Sequence, residues 1–267
     1  MLYLERTPSA VLSPWVRMLW YCQAPQVAHG RERVLPNGCI QIVLNLHRDS
    51  LTDCGDDGTA NSKLDRAIVV GARARYEVID TSDMAELAGI VIRPGGFARL
   101  FRERADLFFE QSISLDCVWR EPQVFDALCE ARTPAEKLNR LEALLMAIVR
   151  DDTRRCEMVD HAVYLFRRRR LNVAGCARSI GLSERRLSQV FREEVGIGPK
   201  MWCRIHRFQE ATRALHAGVD VPWSELALRC GYYDQSHFAN DFRAFSGIDP
   251  TTYSALRGRW RNHVPLT

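Results

Sequence analysis

Apolar positions in the last hundred residues recur at helical spacing, and the pattern is written twice. Ala177 and Ile180, then Leu187, Val190 and Phe191, fall on either side of a turn at Gly181. Ala227 stands four residues before Gly231 as Ala177 stands four before Gly181, and Phe191, Arg192, Gly196 and Pro199 return 51 residues later as Phe242, Arg243, Gly247 and Pro250. Only the turn differs in length: Tyr232, Tyr233 and Asp234 occupy the place of Leu182 and Ser183. Ser183 and Asp234 are suited to cap the helices that follow, and Gly196 and Gly247 to end them with a proline shortly beyond. Each copy therefore predicts a helix, a glycine turn and a second helix, a helix-turn-helix unit. An αα-hairpin repeat of the solenoid kind shares this pattern, but solenoids stack about three or more units, and here there are two. Between the copies, residues 200–217 contain neither Gly nor Pro, and they place Trp202, Ile205, Phe208, Thr212 and Leu215 along one face of a single helix.

The first half alternates differently. "VRMLWYCQA", "RVLPNGCIQIVLNLH", "RAIVVGARARYEVID" and "ELAGIVIR" are β-branched, aromatic or aliphatic runs separated by turn-rich polar text such as "DCGDDGTANS". These predict strands. "RPGGFARLF" turns from strand into helix; it lacks the glycine spacing and the Lys-Ser/Thr ending of a phosphate loop. Helices are expected at 122–130 and at 134–150, the second opening at Thr133-Pro134 with Leu138, Leu141, Leu144, Leu145 and Ile148 on one face, to pack on the strands or on a second copy of itself. The fold expected is α+β: a small β-barrel or sandwich with a helical appendix over 1–150, followed by an all-α domain over 151–267.

Charge divides the chain at the same place. Residues 156–267 carry 17 Lys+Arg against 11 Asp+Glu, and the residues before them 20 against 22. A basic half holding the repeated helices points to a polyanion partner, because each phosphate neutralised by Lys or Arg releases counterions. The cluster Arg167–Arg170 is either part of that surface or a solvated helix end. The nine cysteines are odd in number, scattered, and never in C-x-x-C spacing, which fits reduced thiols rather than a disulfide framework or a four-cysteine zinc site. No apolar run approaches the roughly 18 residues that span a bilayer, and "MLYLERTPSA" has no signal-peptide pattern, so no membrane association and a cytoplasmic location are expected.

The segments "AGCARSIGLSERRLSQVFREEVGIGPKMWCRIHRFQEATRAL" and "WSELALRCGYYDQSHFANDFRAFSGIDPTTY" resemble the DNA-binding domain of the AraC/XylS family of bacterial transcription regulators. The resemblance implies seven helices, two helix-turn-helix units and a long connecting helix. An 18-residue connector spans about 27 Å, which suits two readers on successive major grooves about 34 Å apart. The helix pattern leaves Arg185, Arg186, Ser188, Gln189 and Arg192 outside in the first reader, and Gln235, Ser236, His237, Ala239, Asn240 and Arg243 outside in the second. By resemblance, Arg185, Ser188, Gln189, Gln235, Ser236, His237 and Asn240 occupy base-contacting positions, with Arg192 and Arg243 suited to phosphates, and Arg186 completes the ten expected DNA contacts. The strands with "LPNGCIQIVLNL" and "RPGG" are similar to the cupin-like sensor and dimerisation domains of such regulators. A small-molecule effector would then meet Trp20, Tyr21, Gln41, Asn45, Tyr76 or Arg93. Double-stranded promoter or operator DNA, a homodimer and, for an activator, RNA polymerase are the partners implied.

Three classes of function stay in view. The first is an effector-responsive transcription regulator, with activation favoured by resemblance. The second is a thiol- or metal-sensing regulator using Cys22, Cys39 and Cys54. The third is an enzyme, since similar DNA-binding segments occur fused to DNA-alkylation repair modules; no clustered cysteines, Ser-His-Asp set or paired carboxylates support it. No catalytic residues, metal ligands or cofactors are expected.

Overall fold

The computed structural model describes residues 2–24, 29–120, 123–150, 156–219 and 221–266. Its strands are β1 (Leu2–Arg6), β2 (Val16–Gln23), β3 (Arg31–Val34), β4 (Gln41–Asn45), β5 (Ser50–Cys54), β6 (Ala60–Asp65), β7 (Ala67–Val70), β8 (Glu77–Asp80), β9 (Leu87–Ile92), β10 (Ser112–Ser114) and β11 (His263–Pro265). The helices are α1 (Gly96–Phe101), α2 (Gln123–Glu130), α3 (Pro134–Ile148), α4 (Glu157–Arg168), α5 (Val173–Ile180), α6 (Glu184–Val195), α7 (Pro199–His216), α8 (Trp223–Arg229), α9 (Gln235–Ser246) and α10 (Pro250–Leu256).

The strands form an antiparallel six-stranded sheet in the order β1-β2-β9-β4-β7-β10, a three-stranded sheet β11-β3-β8 and the hairpin β5-β6. Strand alternation sorts the large sheet into two faces. Leu19, Tyr21, Ile42, Leu44, Val69, Ala88, Ile90 and Ile92 join the main core under the helices, whereas Cys22, Ile68, Val70 and Leu87 join a second core with Leu51 and Met84. Trp20 and Gly89 are register partners, and a Cβ on Gly89 would stand 2.4 Å from the Trp20 ring and 2.6 Å from the Ile42 carbonyl oxygen. A residue with no side chain is what lets the indole lie across β9.

The expected α+β architecture is present, with the barrel in a modified form. Among the described residues the ladders do not close; the large sheet ends at β1 and at the three-residue β10, and the facing strands belong to other sheets. The space for a ligand consequently lies between sheets rather than in a barrel mouth. β5 and β6 rise from text that reads as turn, and β11 from a tail with no strand signal.

Thr133 caps α3, its hydroxyl accepting from the Glu136 amide at 3.2 Å, and Leu138, Leu141 and Leu145 are fully buried. That apolar face is covered within the chain. Lys137 donates to the Leu128 carbonyl at 2.8 Å, and Arg6 of β1 pairs with Glu142. The expected division at 150/151 adjoins residues 151–155, which lie outside the described residues. Beyond them, helices α4–α10 surround α7, whose Trp202, Ile205, Phe208, Thr212 and Leu215 are all buried as its apolar stripe requires. Phe166, Phe191 and Trp202 pack as one ring cluster and Phe208, Phe242, Phe245 and Tyr253 as another, one per helix-turn-helix unit.

The chain then crosses back. β11 pairs with β3 in the register His263↔Val34, Val264↔Arg33 and Pro265↔Glu32. Val264 is fully buried, Leu35 N donates to the Asn262 carbonyl at 2.8 Å, and Trp260 packs on Tyr3 with ring centroids 4.3 Å apart. The last residues are thus structurally part of the first half's sheet.

Candidate DNA-binding face and interdomain cavity

α6 and α9 are built alike. The Ser183 hydroxyl accepts from Arg186 N at 3.2 Å and the Asp234 carboxylate from His237 N at 2.7 Å, while Gly196 and Gly247 close the two helices with φ of 94° and 74°. Leu187 and Phe191 anchor the first, Phe238 and Phe242 the second, all fully buried. The opposite face of α6 presents Arg185, Arg186, Gln189 and Arg192 exposed and Ser188 half-buried; that of α9 presents Gln235, Ser236, His237, Asn240 and Arg243 exposed. All ten expected DNA contacts therefore point away from the core. Gln189 accepts from Arg186 at 3.3 Å and donates to Glu193 at 3.1 Å, so a base would have to displace those partners.

Beneath α9 sits Asp241, buried to 5% exposure, which sequence reasoning did not single out. Arg204 of α7 donates to its carboxylate through Nη2 at 2.7 Å and Nε at 3.2 Å, with Arg207 at 3.9 Å and His237 at 3.8 Å. This cluster fixes α9 to the connecting helix, and Tyr232 holds the His237 ring edge-on at 5.2 Å.

Both readers also touch the first half, at their C-terminal glycines. A Cβ on Gly196 would approach the Ala105 carbonyl oxygen to 3.1 Å, and one on Gly247 the Tyr76 ring to 2.5 Å. The repeated glycine thus serves a left-handed turn and a close interdomain approach together. Arg99 of α1 pairs with Glu194, and Arg104 lies 3.6 Å from Glu193. Arg104 and Asp106 share a shallow depression with Arg185, Ser188, Gln189 and Arg192, so the first half abuts the reading face of α6.

A cavity of about 960 Å³ opens between the sheets and is closed from the other side by the end of α7 and the 259–263 tail. Of the residues expected to meet an effector, Trp20, Gln41 and Tyr76 line it. The other three serve elsewhere. Tyr21 faces the main core and donates to Glu86 at 2.8 Å; Asn45, fully buried, ties the turn after β4 by donating to Ser50 O at 3.1 Å and accepting from the His47 and Arg48 amides; Arg93 donates to Ser13 O at 2.8 Å. Tyr21 was misplaced by its parity in β2, since neighbours in a strand face opposite ways. Arg17, Arg213, His216, Trp260 and Arg261 line the cavity without having been anticipated.

Burial pushes the Cys22 thiol up to about 11 and raises those of Cys39 and Cys54, which keeps all three protonated near neutral pH. That is a poor state for thiolate chemistry. Among the described residues no group of three His, Cys, Asp or Glu side chains is placed to hold a metal ion, and no helix is long and apolar enough to cross a membrane.

Residues 176–255 match a family described as a helix-turn-helix domain, and residues 4–114 match a domain of unknown function, DUF6597. The arabinose operon regulatory proteins of Salmonella typhimurium and Escherichia coli are each 29% identical over 84 residues, covering 32% of this chain and 30% and 28% of theirs. The probable transcriptional regulator LumQ of Photobacterium leiognathi is 27% identical over 96 residues, covering 36% of this chain and 38% of its own. The chain thus spans under two fifths of the length of these relatives. Among solved structures, fatty-acid-bound ToxT from Vibrio cholerae covers 94% of each chain at 10% identity with a TM-score of 0.47, and the C-terminal domain of AraT from Geobacillus stearothermophilus covers 38% of this chain and 83% of its own at 25% identity with a TM-score of 0.34. The repeated signature, the matched family model and the two equivalently capped helices on one connecting helix together give residues 176–255 a helix-turn-helix domain, similar to that of the arabinose operon regulatory proteins.

Proposed function

We propose that this is an effector-responsive regulator that lays α6 and α9 into successive major grooves of promoter or operator DNA, with residues 151–267 reading the DNA and residues 1–150 sensing a small molecule. The observation that carries this reading is the duplicated helix with polar residues outward, held at each C-terminal glycine by the half that contains the cavity. Arg185 and Gln189 stand four apart, as do Ser236 and Asn240. Arg suits bidentate contact with guanine, and Gln or Asn with adenine. An effector in the cavity would touch Tyr76, which packs on Gly247, and the tail, which is paired to β3. It would thereby shift the balance between arrangements in which residues 99–106 cover α6 and those in which both readers are free. Activation, RNA polymerase as a partner and a homodimer belong to this proposal on family resemblance alone.

The reading is tested by selecting sites from random duplexes with the full-length protein and measuring variants on the winner. Arg185→Ala and Gln235→Ala should each weaken specific binding by ~1–3 kcal/mol and relax preference at separate base positions. Equal losses on selected and random DNA would refute base reading by these side chains. Arg243→Ala should instead weaken binding to all sequences alike and lower the slope of affinity against salt by about one; an unchanged slope would remove Arg243 from the phosphate contacts.

A further inference from the structure

Arg73 and Arg75, which line the cavity, and the neighbouring Arg31 are already matched. Arg31 pairs with Asp80 at 2.6 Å, Arg73 with Glu77 at 2.7 Å and Arg75 with Asp56 at 2.8 Å. Arg17, Arg213 and Arg261 also line it, and among the described residues no carboxylate lies within ion-pair range of any of them. They come from three places: β2 of the first half, the last turns of α7 and the tail.

Each is aimed at the cavity by a specific local feature. Met18, Trp20 and Cys22 line the cavity as alternate residues of β2, and strict alternation would turn Arg17 to the opposite face. The pairing of β2 with β9 shifts between Val16 and Met18, so Arg17 is the extra residue of a bulge and joins Met18 on the cavity side. Arg213 and His216 stand one helical turn apart on α7, and both face the cavity. Arg261 is fixed by its own backbone, whose carbonyl accepts from the Tyr253 hydroxyl at 2.8 Å. Its Nε and the Nδ1 of His216 are buried without a hydrogen-bond partner.

Glu5 is the carboxylate nearest in influence, and it offsets the cluster only in part. Burial and the neighbouring charges of Arg213 and Arg17 hold the Arg261 guanidinium below its usual range. Burial, with Arg167, Arg213 and Arg17 beside it, pushes His206 of α7 down to about 4, leaving that ring neutral. Beside this cationic end lies an aromatic wall, with Tyr3 stacked on Trp20 at 6.4 Å and tilted on Trp260 at 4.3 Å.

We propose that Arg17, Arg213 and Arg261 form an anion subsite where the two halves meet, and that the effector is a small anion with an apolar body laid against Tyr3, Trp20 and Trp260. The proposal rests on the effector-responsive reading above and adds the chemical class of the ligand. An acidic group bound there replaces repulsion among three cations from both halves by attraction to one anion. Binding is thereby coupled to the interdomain arrangement. Carboxylate, phosphate and sulfonate share the required charge and acceptor geometry.

The test uses two probes with the same apolar body, 8-anilinonaphthalene-1-sulfonate and its uncharged counterpart N-phenyl-1-naphthylamine, titrated by fluorescence into the full-length protein. The sulfonate should bind at least about tenfold more tightly, the scale of one charge-assisted hydrogen bond. Arg17→Gln, Arg213→Gln and Arg261→Gln should each lower its affinity about tenfold while leaving the uncharged probe within about twofold. Arg17→Lys should keep most of the preference, and unchanged unfolding midpoints would show that the variants remain folded. If both probes bind equally, and Trp20→Ala weakens both, the cavity takes ligands but the anion subsite is wrong. A preference for the sulfonate that survives all three Gln variants also overturns the subsite. If neither probe binds, the effector-cavity reading fails together with it.

Discussion

Gly71→Ala should destabilise the protein by about 3 kcal/mol or more, an unusually large loss for the addition of one methyl group. The added Cβ would stand 1.6 Å from the carbonyl oxygen of Phe108 and 2.5 Å from its carbon. No rotamer relieves this, because the obstruction is backbone, and that backbone is held in place. Gly71 N donates to Gln111 O at 2.9 Å, Glu110 N to Ala72 O at 3.1 Å, and Gln111 N to the same Phe108 oxygen at 3.0 Å. The clash must therefore push the 105–111 segment as a unit. That segment carries Ala105, against Gly196, and follows Arg104, which reaches Glu193 of α6. Urea unfolding of Gly71→Ala, with Gly258→Ala as the control, measures the effect. An added Cβ at Gly258 meets no atom within 4 Å, and its cost should stay within about 0.5 kcal/mol. Equal midpoints for the two variants would mean that the 71/108 contact is not held as described.

Arg204→Met should cost about 3 kcal/mol and should disable the second reader more than the first. The substitution keeps the apolar stem and removes the bidentate partner of Asp241, whose side chain is 6% exposed against 32% for Arg204. Breaking a buried pair from one side is expensive because the remaining charge stays desolvated, typically 3–5 kcal/mol. Arg207 at 3.9 Å and His237 at 3.8 Å stay near the carboxylate, which places the estimate at the low end of that range. The loss falls on α9, since Asp241 stands on that helix between Asn240 and Phe242. The double variant Arg204→Met with Asp241→Leu should recover much of the stability by removing the stranded charge. Chemical denaturation of both variants, with base preference measured at each half of the selected site, checks the claim. A loss below about 1 kcal/mol would mean that the pair is effectively solvated.

The helical half was legible because its signals are local. Ser183, Asp234, Gly196 and Gly247 cap the helices they were expected to cap, and the apolar stripe of α7 is buried at every position named. Nearest-neighbour chemistry sets those features, so one sequence suffices to show them. What escaped depends on partners distant in the chain. β11 becomes a strand only because β3 offers an edge some 230 residues earlier, and the hairpin β5-β6 reads as polar turn text because β6 is exposed along nearly its whole length. Parity explains the mixed outcome for the cavity: Trp20 and Tyr21 are adjacent and aromatic, and only the pairing of β2 with β9 decides which one looks inward. The same pairing, through its bulge, turns Arg17 into the cavity. Asp241 was hidden for a different reason, as an acidic residue on a helix ordinarily signals a solvated face.

The central claim is that one chain places two reading helices on successive turns of one duplex. Hydroxyl-radical footprinting of the full-length protein on its selected site tests it most directly. The account predicts two protected blocks on one face of the DNA, centred about 10 base pairs apart, with Arg185→Ala fading one block and Gln235→Ala the other. A single block, or two blocks that both variants fade equally, would contradict it.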